Sequence, residues 1–81
     1  MRIRIQFFSY FRDLAGCQGT DMDVPAATTL GELQERLMAR FPNLAPMRRS
    51  ALLAVGVAYE ARDYILREGD EVSFFPPVQG G

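Results

Sequence analysis

The clearest helical signal in this 81-residue chain lies between Thr29 and Phe41, and it limits the possible folds more than any other feature. Leu30, Leu33, Leu37 and Phe41 recur at spacings of three, four and four, so they form a single apolar stripe. Thr29 is a good N-cap, and Glu32 three residues later completes a capping-box pattern. Glu32 and Arg36 are spaced to pair on the outside, Arg40 sits near the negative end of the helix dipole, and Pro42 stops the helix. On either side the apolar period drops to two. In Arg2–Ser9, Ile3, Ile5 and Phe7 oppose Arg2, Arg4, Gln6 and Phe8. In Gln18–Val24, Thr20, Met22 and Val24 oppose Asp21 and Asp23, and Pro25 ends the run. Ala51–Tyr59 reads as a third strand, with Leu53, Val55 and Val57 alternating with Leu52, Ala54, Gly56 and Ala58. Glu71–Phe75 reads as the last, with Val72 and Phe74 on one face and Glu71, Ser73 and Phe75 on the other. A lone helix with one stripe must bury it on one face of one sheet. The expected class is therefore α+β: a mixed four- to five-stranded sheet with one main helix on one face.

The connections are short. Tyr10–Gly16 reads as a loop or helical turn, Asn43–Ser50 as a loop, Glu60–Leu66 as a short edge strand or turn, and Arg67–Asp70 as a tight turn. No repeat, linker or low-complexity tract interrupts the chain, so residues 1–75 form one expected domain, followed by a tail over 76–81.

What the composition lacks narrows the function. There is no His, Lys or Trp, and nine basic residues, all Arg, face ten acidic ones for a formal charge of −1. That balance gives no long-range attraction to nucleic acid or membrane. Without His the usual proton shuttle near neutral pH is missing, without Lys there is no Schiff-base chemistry, and one Cys with no His makes no ordinary zinc site. The apolar runs are too short to span a bilayer and the first residues lack a signal-peptide pattern, so a cytoplasmic location is expected. Cys17 has no base to activate it and reads as a loop residue. Asp21 and Asp23 are too few for a metal site and suit the charged edge of a sheet. Arg48 and Arg49 read as a solvated pair, with contact to an acidic partner as the alternative. A chain so equipped is a poor enzyme by itself.

Two features point outward. By strand parity the sheet face away from the helix carries Phe8, Phe75, Ser73 and the small residues Ala54, Gly56 and Ala58. A solvated face is normally polar, so an apolar patch here suggests a binding surface centred on Phe8 and Phe75. The second feature is the ending, Phe74-Phe75-Pro76-Pro77-Val78-Gln79-Gly80-Gly81. Pro76 and Pro77 lack backbone donors, so sheet pairing stops there, and their fixed φ makes a stiff exit. From Pro76 the tail reaches at most roughly 20 Å, at about 3.3–3.6 Å per residue. Val78 and Gln79 extend it, and Gly80 and Gly81 have no side chains to block a narrow channel. The Gly81 carboxylate would be ionised at neutral pH and a poor electrophile until another enzyme activates it.

The stretch EGDEVSFFPPVQGG, Glu68 to Gly81, resembles the closing motif of the small subunit of molybdopterin synthase, a ubiquitin-like sulfur carrier. Phe8 through Arg12-Asp13-Leu14-Ala15-Gly16 and the capped helix fit that family more loosely. At Gly56 the chain departs from it, since the family often has Asn there. The resemblance implies a β-grasp fold, with first and last strands parallel at the sheet centre. It also implies a role. A ubiquitin-activating-type enzyme uses ATP and magnesium to adenylate Gly81, a sulfur donor converts it to a thiocarboxylate, and the tail delivers sulfur to cyclic pyranopterin monophosphate in the synthase large subunit. This chain itself would hold no cofactor. Gly81 would carry the reacting group, Gly80 would give clearance, Pro76, Pro77, Val78 and Gln79 would guide the tail, and Phe8 and Phe75 would dock. The rival readings are a thiamine- or cysteine-pathway sulfur carrier and a ubiquitin-like protein modifier.

Overall fold

The computed structural model describes residues 1–77. Its elements in chain order are β1 (Arg2–Phe7), α1 (Phe11–Ala15), β2 (Gly19–Asp23), α2 (Leu30–Arg40), β3 (Leu52–Val55), β4 (Ala58–Tyr59) and β5 (Glu71–Phe75). A 3₁₀ segment, Pro42–Met47, follows α2 and occupies most of the span expected to be a loop. The five strands make one sheet in the order β2-β1-β5-β3-β4. β1 and β5 are parallel and every other pair is antiparallel, so the sheet is mixed, with the last strand in the middle. Among the described residues no helix is long and apolar enough to cross a membrane.

Helix α2 forms for the reasons its sequence gives. Thr29 takes an extended backbone, its hydroxyl accepts from the Glu32 N–H at 3.2 Å, and Glu32 accepts from the Thr29 N–H at 3.0 Å. These bonds satisfy two groups that a helix start otherwise leaves unpaired. They also hold the Glu32 carboxyl below the usual carboxylate range, the Thr29 backbone bond being the main cause and Arg36 a minor one. The stripe then buries Leu30, Leu33 and Leu37 completely against Ile3, Ile5, Phe7, Leu53, Val72 and Phe74 of the sheet. Phe11 from α1 and Leu44 from the 3₁₀ segment close one end of this core. Phe7 meets Phe74 and Phe41 edge to face, at ring separations of 5.8 and 5.6 Å. Thr29–Glu32 thus aims the helix, and the stripe fixes which sheet face is inside.

Three strand limits differ from the sequence reading. β1 stops at Phe7, because Ser9 adopts φ 56° and turns the chain into α1, although the Phe8 N–H still donates to the Phe74 carbonyl at 3.1 Å. β2 ends one residue short of Val24, whose N–H bonds back to Met1. The largest correction is at 51–59, which is a hairpin and not one strand. Val55 pairs with Ala58 and Ala54 with Tyr59, leaving Gly56-Val57 as a two-residue turn. Gly56 sits at φ 61°, where a first turn position with positive φ favours glycine. Asn visits positive φ more readily than other L-residues, so it is the side chain this position would resist least.

The 60–70 connection crosses the helix start without forming a strand, making a single bridge between Ile65 and Thr29. A Cβ on Gly31 would come within 3.2 Å of the Arg62 carbonyl, so a side chain there would push this segment away from α2 by a few tenths of an ångström. The turn before β5 is tied by Asp70, which accepts from the Arg67 N–H at 2.9 Å and the Tyr64 hydroxyl at 3.3 Å. The hydroxyl's burial, reinforced by that carboxylate, raises the Tyr64 pKa.

Candidate functional site

The sheet face away from α2 is built by strand register. Ser73 of β5 lies between Gln6 of β1 and Ala54 of β3, and Phe75 lies beside Leu52. Ser73 and Ala54 are 7% and 6% exposed, so the floor of this face is flat and small-residued. Phe8 and Phe75 rise from it and stack on one another, with ring centroids 4.6 Å apart and planes 12° from parallel. Tyr59 meets Phe75 edge-on at 6.3 Å and is 66% exposed. On the other flank the Arg12 guanidinium lies 5.7 Å from the centre of the Phe8 ring, and its Nε donates to the Phe7 carbonyl at 3.0 Å. The result is a row, Arg12–Phe8–Phe75–Tyr59, held from both ends.

The structure therefore brings together Phe8, Phe75, Ser73 and Ala54 as parity predicted. It does not bring in Gly56 and Ala58, because the hairpin turn removes the first and reverses the parity of the second. That reversal places Tyr59 on the face away from α2, beside Phe75. The signal was present in the sequence: a two-residue turn at Gly56-Val57 puts Tyr59 opposite Ala54. Arg12 was also not anticipated as a member of this face. It reaches Phe8 only because Ser9 turns the chain sharply after β1.

The other candidates have ordinary structural roles. Asp21 and Asp23 on the edge strand β2 face Arg2 and Arg4, with N–O separations of 3.3–3.7 Å between exposed side chains. Such pairs add little stability but keep charge on an open sheet edge. Cys17 is half-buried at the margin of the core. Arg48 is not simply solvated: its Nε pairs with Glu35 at 2.8 Å. Gln34, fully buried in α2, donates to the Arg48 carbonyl at 2.9 Å and accepts from Arg62.

The tail begins directly after Phe75. β5 is paired with β1 as far as Phe74 and with β3 as far as Phe75, and Pro76 and Pro77 follow half-buried and outside the strand. The root of the tail is therefore rigid and lies one residue from the Phe8–Phe75 stack. Val78, Gln79, Gly80 and Gly81, expected to guide the tail and carry its chemistry, lie outside the described residues.

The geometry has clear counterparts among known proteins. The ThiS family model matches residues 5–81. The molybdopterin synthase sulfur carrier subunit of Anopheles gambiae is 36% identical over 86 aligned positions, which cover all of this chain and 93% of that protein. Among solved structures, small archaeal modifier protein 1 of Haloferax volcanii superimposes with a TM-score of 0.87 at 21% identity, covering 95% of this chain and 98% of that one. Subunits 1 and 2 of the molybdopterin-converting factor of Helicobacter pylori were solved as a complex, and a chain of that structure matches with a TM-score of 0.72 at 21% identity and full coverage of both. The two structural likenesses establish the β-grasp fold. The family match spans nearly the whole chain, from the second residue of the β1 stripe through the glycine pair. The chain belongs to the ThiS family and, within it, groups with the molybdopterin synthase sulfur carrier subunits.

Proposed function

We propose that this chain carries sulfur on its C-terminal glycine for the assembly of the molybdenum cofactor, as the small subunit of a molybdopterin synthase. The observation that carries the reading is the joining of two features: an exposed aromatic row and, one residue beyond it, a tail that leaves a doubly paired central strand through two prolines. A partner that covers Phe8, Phe75 and Tyr59 would find the root of the tail directly beside it. Binding would therefore position the reacting end before any chemistry begins.

The chemistry follows from the end group. A Gly81 carboxylate oxygen attacks the α-phosphorus of ATP, held with magnesium by the adenylating enzyme, and pyrophosphate leaves. The mixed anhydride is an activated acyl group, and sulfide attacks its carbonyl carbon, the C–S bond forming as the C–O bond to AMP breaks, to leave a thiocarboxylate. The loaded tail then enters the large subunit and transfers its sulfur to cyclic pyranopterin monophosphate. The large subunit supplies the basic catalytic residues, which this chain, with neither His nor Lys, does not have. The chain contributes docking, reach and clearance, and it binds no cofactor of its own.

Intact-mass measurement tests this. After incubation with the adenylating enzyme, ATP and a sulfur donor, the chain should gain about 16 Da, the exchange of one oxygen for sulfur on the activated carboxyl. Deleting Gly81 should abolish both the gain and synthase activity while leaving the fold unchanged. No gain with enzymes that load another carrier, or full synthase activity without Gly81, would overturn the reading.

A further inference from the structure

The aromatic row is too small to orient the domain on a permanent partner. Two half-buried phenylalanines and Tyr59 offer at most roughly 300 Å², taking 150–250 Å² per whole aromatic side chain. A stable interface uses about 800 Å² from each partner. The residues after Phe75 add contact of their own, but the orientation of the domain must be set by the domain's surface. That surface has to extend, and one concave feature adjoins the row.

This feature is a cleft of about 540 Å³ at the β3–β4 edge. Tyr59 and Leu52 line it, and both also touch the row, Tyr59 through its ring on Phe75 and Leu52 as the register partner of Phe75. Its rim carries Arg48, Arg49 and Arg62, with Glu60 the one acidic lining residue. Glu35 neutralises some of this charge, pairing with Arg48 at 2.8 Å and Arg62 at 3.5 Å. Arg49 has no ion pair among the described residues. In a chain of net charge −1 this is a local positive site over an apolar floor. It is also built in place. Gln34 ties the Arg48 carbonyl and the Arg62 guanidinium to α2, so both walls are fixed to the core helix.

We propose that this cleft is a second docking point on the domain, and that its occupant is an acidic side chain adjoining an apolar one on the synthase large subunit. The inference rests on the carrier reading above. Continuity with the aromatic row gives the location, the arginine rim gives the charge of the occupant, and the apolar floor gives its neighbour. A permanent subunit needs the added area, whereas a transient activating enzyme can work with less. The charge at the rim would speed encounter and fix the orientation about the tail root.

Titration calorimetry of the full chain against the purified large subunit from the same genome tests the proposal, at 50 and 500 mM salt. Arg49→Glu should weaken binding roughly tenfold at low salt and much less at high salt, as expected for a rim charge. Arg67→Glu makes the same change of net charge in the turn at the far end of β5, and should stay within about twofold of the parent at both salts. Equal effects of Arg49→Glu and Arg67→Glu would overturn the proposal. So would a loss seen with the adenylating enzyme alone, which would assign the cleft to activation. Phe75→Asp serves as the separate control. If it too binds the large subunit like the parent, the carrier's docking reading fails, and not merely the role of the cleft.

Discussion

Phe74 and Phe75 are neighbours in sequence and point to opposite faces of β5, so truncating each to alanine should separate folding from docking. Phe74 is 1% exposed and packs edge-on against Phe7 and Phe11. Its loss removes a full core side chain and leaves a cavity, at a cost of about 3–5 kcal/mol. At 0.05–0.15 kcal/mol per residue, a domain of this size has roughly 4–12 kcal/mol in all. Phe74→Ala should therefore leave the chain largely unfolded, or lower Tm by at least about 12 °C at 4–8 °C per kcal/mol. Phe75 is half-buried and loses its stack on Phe8 and its edge contact with Tyr59, about 0.5–1.5 kcal/mol beyond the change in burial. Phe75→Ala should lower Tm by only about 5–10 °C. Binding should show the reverse order of severity. If Phe75 anchors the partner, its truncation should cost at least about 2 kcal/mol, near 30-fold in Kd. Thermal circular dichroism and titration calorimetry on the same preparations give both numbers. A Phe75→Ala chain that melts like Phe74→Ala would place Phe75 in the core. One that folds and binds the large subunit within twofold of the parent would refute its role as an anchor.

Two other outcomes follow from the backbone and the helix start. Gly56→Val should destabilise the domain by about 1–2 kcal/mol, because a β-branched residue resists the positive φ of the hairpin turn; Gly56→Asn should cost measurably less, and equal denaturant midpoints for the two would show that φ is not the constraint. Glu32 has a lowered pKa in the folded state, so its contribution is present above the unfolded carboxylate value of about 4.3 and is lost as pH falls through the lower folded value. Denaturant unfolding followed from pH 6 to pH 3 should show stability falling with pH, with a smaller slope in Glu32→Gln; an unchanged slope would mean that the capping box does not persist in solution.

Much of this architecture was readable from local chemistry. Thr29 and Glu32 announce the start of α2, the Leu30–Leu33–Leu37 stripe gives its buried face, and the alternation in β1 and β5 places Phe8 and Phe75 together on the outer side. The hairpin at 56–57 was harder to see because Val57 is apolar and the alternating pattern runs through it. Val57 is in fact fully exposed at the turn, and a hydrophobic residue held in water by backbone geometry carries no periodic mark. Gln34 was missed for a different reason. It lies on the inner side of the helix as a polar residue, and its burial is acceptable only because Arg48 and Arg62, distant in sequence, satisfy it. Arg12 likewise depends on a turn at Ser9, where no glycine signals it. The features legible in the sequence are set by neighbours along the chain; those that were not are set by contacts across it.

The placement of β5 has a mechanical consequence. It forms four register pairs with β1 on one side and four with β3 on the other. A load applied through the tail therefore runs along the strand and acts in shear on both ladders at once, with no edge from which hydrogen bonds can break in succession. β1, antiparallel to β2, passes that load to the charged edge, and β3 passes it to the hairpin. A protein that grips the last residues and pulls would have to break the whole centre of the sheet before the domain yielded, whereas β2 or β4, each bonded on one side only, would peel away far more easily. The root of the tail at Pro76 is thus tethered to a strand that is paired on both sides.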